Sequence, residues 1–180
     1  MNINLKAFLP HFLALVVFIG ISMSFFHPAL SGYSLKTHDV KTYKGASKEI
    51  SDYRDDYNDE ALWTNSMFGG MPAYFVGMRY RNNLVARYIR PLTTMGLERP
   101  ALYIFWSLIS FFLLTQVLKM KIPIGVLGSI GYAFTSYNFV ILAAGHFAKV
   151  MALGYLPGIL AGAILIRDKK YVLGVAVTAL

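Results

Sequence analysis

The chain has 180 residues, 56% of them hydrophobic, and a formal net charge of +8. Its 17 Lys and Arg do not form a nucleic-acid-binding block. Ten of them share the segment His27–Arg99 with eight acids, and the rest flank apolar runs, where they suit lipid headgroups. The absence of cysteine excludes disulfides, thiolate chemistry and Cys-based metal sites.

In chain order, four stretches lack Asp, Glu, Lys and Arg altogether: Phe8–Phe26, Ala101–Leu118, Ile122–Ala144 and Val150–Ile166. A helix rises about 1.5 Å per residue, so roughly 17–25 such residues span the hydrocarbon of a bilayer. The expected fold is therefore an all-α integral membrane protein, a polytopic helical bundle, with the lipid bilayer as its first partner. The first run is read as a retained helix, because it is long for a signal peptide and no convincing small-x-small cleavage site follows Phe26. A further apolar segment, residues 171–180, is too short to span and reads as the start of a fifth membrane helix. The chain is thus expected to be the N-terminal part of a longer membrane protein.

Lys119 and Lys121 separate the second and third runs, and Arg167, Lys169 and Lys170 follow the fourth. The positive-inside rule puts both clusters in the cytoplasm. The N-terminus then lies inside. The long loop, residues 27–99, lies outside with the turn Gly145–Lys149. The five Arg between Arg79 and Arg99 do not overturn this, because the rule weakens for loops beyond about 60 residues.

The long loop is too aromatic for a disordered linker. Its first half, His27–Leu62, carries seven acids and five bases; its second half, Trp63–Arg99, carries five Arg and one Glu. Val40, Tyr43, Ala46 and Ile50 recur at steps of three and four. That predicts an amphipathic helix beginning at Asp39, with Thr37 or Asp39 as its cap. Leu84, Val85, Tyr88, Ile89 and Leu92 predict a second one over Arg79–Leu92, basic and interfacial. Phe68-Gly-Gly-Met-Pro72 between them reads as a tight turn.

The third run carries Tyr132, Thr135, Ser136, Tyr137 and Asn138, and polar groups at membrane depth face protein or a water-filled cavity. His146 and Lys149 follow, three apart, and share a face if a helix resumes there. Gly154, Gly158 and Gly162 recur at steps of four, a close-packing face that Pro157 can bend.

Four strings occur in order: His38-Asp39-Val40-Lys41-Thr42-Tyr43, Trp63-Thr64-Asn65-Ser66-Met67-Phe68-Gly69-Gly70-Met71-Pro72, Tyr132-Ala133-Phe134-Thr135-Ser136-Tyr137, and Gly145-His146-Phe147-Ala148-Lys149. Together they resemble the YfhO-type bacterial membrane proteins of the GT-C superfamily, in a form similar to those of Bacteroidetes-type bacteria. The resemblance runs roughly from Phe8 to Arg167. It implies a GT-C-type helical bundle with a long first outer loop, located in the bacterial inner membrane. It also implies a glycosyltransferase that moves a sugar from a polyprenyl-phosphate donor to an envelope glycan or lipid acceptor at the outer face. Superfamily members carry a catalytic Asp just after the first helix, and by position that is Asp39. Relatives often carry two acids there. Here the neighbour is His38 and the next acid is Glu49, which argues against a tightly bound metal.

Asp39 is thus the candidate general base, which must reach the acceptor hydroxyl, or the ligand of a divalent cation such as Mg or Mn; the competing reading is a helix cap. His146 and Lys149 are candidates for a donor phosphate, or interfacial anchors. Arg81, Arg87 and Arg90 are candidates for the lipid phosphate, or for anionic headgroups in general. Trp63 and Asn65 are candidates for a sugar site beside His38, by stacking and by hydrogen bonds; Trp63 alternatively belongs to an interfacial belt. The contrasting function is a transporter or assembly subunit that binds a lipid-linked glycan without chemistry.

Overall fold

A computed structural model describes residues 5–33, 35, 37–79, 83, 84, 88, 97 and 99–179. The elements are α1 (Leu5–Phe25), α2 (His27–Leu30), α3 (His38–Ala46), α4 (Lys48–Tyr57), β1 (Trp63–Thr64), β2 (Met71–Pro72), a 3-10 turn (Ala73–Phe75), α5 (Ala101–Val117), α6 (Ile122–Ala133), α7 (Ser136–Ala144), α8 (Phe147–Arg167) and α9 (Tyr171–Ala179). The chain divides into two compact units. A helical unit holds Met1–Leu35 with Thr93–Leu180, and a loop unit holds Lys36–Leu92.

The molecule is mostly helical, and three segments of the helical unit are long and apolar enough to cross a membrane: Phe8–Phe25, Ile122–Ala144 and Phe147–Arg167. α5 is shorter, at 17 residues, yet it is the core of the unit and packs against α1, α6 and α8. Ile104, Phe105 and Leu108 on it are fully enclosed. Phe18 of α1 meets Phe112 edge-on, with ring centroids 5.5 Å apart, a favoured aromatic geometry.

α8 runs parallel to α5, in register from Tyr103 against Phe147 (centroids 5.6 Å, stacked) to Ser110 against Gly158. Small residues let the two backbones approach: a Cβ on Gly158 would stand 3.1 Å from Ser110 Oγ. Pro157 has no N–H, so the carbonyl of Leu153 loses its helical donor. The Tyr132 hydroxyl replaces it, donating to Leu153 O at 2.6 Å. One residue on, the Gly158 N–H donates to Ser110 Oγ at 2.7 Å. At its far end α8 meets α9, where Gly162 lies against Gly174 and Thr178.

The stretch Ile122–Ala144, expected as one helix, is interrupted. α6 stops at Ala133, Thr135 is extended (φ −62°, ψ 139°), and α7 starts at Ser136. A broken helix at membrane depth must satisfy its freed carbonyls within the protein. Asn138, 3% exposed, does so. Its Nδ2 donates to Tyr132 O and Ala133 O, each at 3.2 Å, and Thr135 Oγ1 donates to Tyr132 O at 3.1 Å.

The loop unit has its own small core of Ile50, Ala73 and Val76. The single amphipathic helix expected from Asp39 onward is instead two, α3 and α4, jointed at Ser47 (φ −90°, ψ 2°). Gly77 lies against this joint, and a Cβ there would come within 2.9 Å of Ser47 Cβ. The joint turns Ile50 into the core while α3 buries no residue. The second amphipathic helix, expected over Arg79–Leu92, falls mostly outside the described residues.

Candidate functional site

In the helical unit, three chain segments meet at one end of the bundle. α1 finishes there at Phe25, and Phe26 packs against Tyr103, Ile141, Leu142 and Val150. α5 and α8 both begin there, so two helix N-termini, each with partial positive charge, share this end; the first residues of α5, Ala101 to Tyr103, are buried. The chain leaves α1 and re-enters at α5 on the same end.

Three basic side chains belong to it. Arg99 stands just before α5, with its guanidinium 5.9 Å from the centroid of the Tyr103 ring. Tyr103 in turn stacks on Phe147, the first residue of α8. His146 occupies the N-cap position of α8 without a side-chain cap bond. It follows Gly145, whose φ of +100° closes α7. Lys149, in the first turn of α8, holds its ammonium 5.2 Å from the centroid of the Tyr137 ring. The helix does resume at Phe147, and His146 and Lys149 are joined by the turn bond from Lys149 N–H to His146 O, 3.0 Å. Arg99 was missed in the sequence, where it counts as one more loop charge. Its position directly ahead of an apolar run, like that of Lys149, was the available signal.

In the loop unit, His38 and Asp39 are the first two residues of α3. Thr37, not Asp39, is at the N-cap position, and it makes no side-chain cap bond. Asp39 is half-buried in the first turn, where a carboxylate suits the helix dipole. His38 Nδ1 lies 3.4 Å from Thr42 Oγ1.

Trp63 and Asn65 lie in a hairpin whose order comes from Glu49. Its carboxylate accepts from the Thr64 hydroxyl at 2.6 Å and from the Asn65 N–H at 2.8 Å. The same bonds, with a further contribution from the Asn65 side chain, hold the Glu49 carboxyl below its usual range. Ser66 Oγ donates to Ala46 O at 2.7 Å, tying the hairpin to the end of α3. Trp63 pairs with Pro72 across the ladder, and its indole lies on Gly70. With φ at +121° and the indole 2.7 Å from where a Cβ would be, only glycine fits at position 70. A second bond set closes the unit. Arg54 makes a bidentate pair with Glu60, both bonds 2.8 Å, and donates to Gly77 O at 2.8 Å. The bonds to Glu60 raise the Arg54 pKa further.

Arg81, Arg87 and Arg90 lie outside the described residues. Among the described residues, no group of three His, Asp or Glu is placed to hold a metal ion. Glu49, the acid nearest Asp39 in sequence after it, is turned to Thr64 and Asn65. Set beside known proteins, the chain matches no family model, no curated protein and no solved structure.

Proposed function

We propose that this chain is a GT-C-type glycosyltransferase-like membrane protein that acts on a polyprenyl-phosphate-linked sugar at the outer face of the bacterial inner membrane. One observation supports the reading: Arg99, His146 and Lys149 stand at the end of the helical unit where α5 and α8 begin. Helix N-termini and fixed cations suit a phosphate. The resemblance of the four sequence strings supplies the rest, since it places the catalytic acid at Asp39.

In this reading the acceptor hydroxyl attacks the anomeric carbon of the sugar. Its proton passes to the Asp39 carboxylate. The bond from the anomeric carbon to the phosphate oxygen breaks, and the polyprenyl phosphate leaves with the electron pair. On the helical unit, Lys149, His146 and Arg99 are suited to hold a phosphate. No step passes through a metal.

The test is transfer of label from a radiolabelled polyprenyl-phosphate sugar in membranes carrying the protein, wild type against Asp39→Asn. We expect transfer to fall by at least a hundredfold, as loss of a general base predicts, with membrane insertion unchanged. Equal transfer in both would remove the enzyme assignment. The engagement of Glu49 with Thr64 and Asn65 favours one second reading, a binding or assembly subunit without chemistry. Its signature would be a bound donor that is never turned over.

A further inference from the structure

The loop unit presents a surface that glycosyl transfer does not use. From Ala61 to Met78 the chain carries no Asp, Glu, Lys or Arg, although Asp59, Glu60 and Arg79 stand at its edges. This run folds into the hairpin of β1 and β2 with the 3-10 turn after it. The ladder sets Leu62 and Trp63 beside Ala73 and Pro72, and Tyr74 and Phe75 follow directly with their rings 4.3 Å apart. Leu62 is 75% exposed, Phe68 89% and Phe75 67%. Trp63 and Tyr74 are also more than half exposed. So many large apolar side chains on one small unit are unusual for a surface that meets only water.

Of the polar residues of the hairpin, Thr64 is buried and Asn65 and Ser66 are exposed. Thr64 and Asn65 bond to Glu49, and Ser66 bonds to Ala46 O. The exposed part of the hairpin is uncharged and rich in aromatic and aliphatic side chains, with Trp and Tyr among them. That is the composition of the zone between headgroups and acyl chains. Both ends of the unit also run on in the chain toward apolar helices, through α1 and α5, so a bilayer is always within tether range.

We infer that the hairpin Leu62–Phe75 is a membrane-contacting wedge, which seats the loop unit on the lipid surface by inserting Leu62, Phe68 and Phe75 below the headgroups. This holds whether or not the protein transfers sugar. The absence of native cysteine allows a direct test on the full chain. Phe68→Cys is labelled with a nitroxide and compared with the same label at Asp56→Cys, an exposed site on α4. The protein is reconstituted in phosphatidylethanolamine–phosphatidylglycerol vesicles. The label at 68 is expected to be several-fold more accessible to oxygen, relative to a water-soluble nickel complex, than the label at 56. Equal ratios at the two sites would overturn the wedge. So would shelter of position 68 from both reagents, which would mean a protein partner, or a change at 68 seen only on adding glycan. A second measurement uses native Trp63 with Trp106→Phe as background. Quenching by lipids brominated near the headgroup supports the wedge, and quenching by iodide alone refutes it.

Discussion

In the helical unit, buried polar atoms are closed by short neutral side chains on the backbone: Tyr132 on Leu153 O, Ser110 on Gly158 N–H, Asn138 on Tyr132 O and Ala133 O. In the loop unit the same task falls to full charges: Arg54 with Glu60 and Gly77 O, Glu49 with Thr64 and Asn65. The difference follows from the surroundings. A charge in a membrane-spanning segment costs several kcal/mol, on the order of 3 by insertion scales, whereas a neutral amide or hydroxyl mends a broken helix cheaply. The loop unit has too small an apolar core, Ile50 with Ala73 and Val76, to hold a hairpin against two helices by burial alone. Its long-range order therefore rests on a few charge-assisted bonds, which are stronger than neutral ones.

The comparison breaks most sharply at Arg54. Its side chain is 7% exposed and that of Glu60 12%. Arg54→Met removes the cation and leaves Glu60 and the Gly77 carbonyl without it, and breaking a buried pair from one side costs about 3 kcal/mol or more. Hydrogen exchange over residues 48–79 is expected to accelerate about a hundredfold, with α5 and α8 unchanged. Unchanged exchange in the loop unit would show that its order does not depend on the pair.

The matching experiment in the helical unit is Asn138→Ala. In the gap between α6 and α7, Ala133 O loses the Asn138 donor and Tyr132 O is left with Thr135. Hydrogen bonds between membrane helices are typically worth about 0.6 kcal/mol each and at most about 1.7, so the loss is expected near 1 kcal/mol. Unfolding of the full chain in mixed micelles measures it. A variant more stable than wild type would mean that the helix straightens through Phe134–Thr135 and that the break is imposed by Asn138 itself.

These two sites also mark what the sequence could and could not tell. The apolar helices were legible because charge is excluded from them over roughly 20 residues, a local signal. The interruption at Thr135 was not, because charge stays excluded through it and Asn138, which closes the gap, is one polar residue among several. Pro157 announced a bend, but its compensation by Tyr132 comes from 25 residues earlier. In the loop unit, Gly69-Gly70 announced the turn, while the partner that fixes the hairpin, Glu49, precedes Asn65 by 16 residues. Asp39 was legible only through its place after the first helix. Nothing local distinguished it from a cap, and of the two cap candidates, Thr37 and Asp39, the structure has Thr37 at the N-cap position. Arg81, Arg87 and Arg90 lie outside the described residues.

The mildest test of the comparison is pH. Bonds from the Thr64 hydroxyl and the Asn65 N–H keep Glu49 ionised to lower pH than in the unfolded chain. A carboxyl with a depressed folded pKa contributes stability that is fully present above its unfolded value, roughly 4.3. That contribution is lost as pH falls through the folded value. Protection of the hairpin amides near Asn65 is therefore expected to be flat from neutral pH to about 5 and to decline below the unfolded value near 4. The informative quantity is the difference from Glu49→Gln. That variant should be less protected than wild type at neutral pH and should approach it in acid. Parallel curves would show that the Glu49 bonds add nothing net to the hairpin. The amides around the α6–α7 gap, closed by Asn138 and Thr135 rather than by a carboxylate, should show no such difference over the same range. A shared acid response in both units would dissolve the distinction between charged and neutral closure.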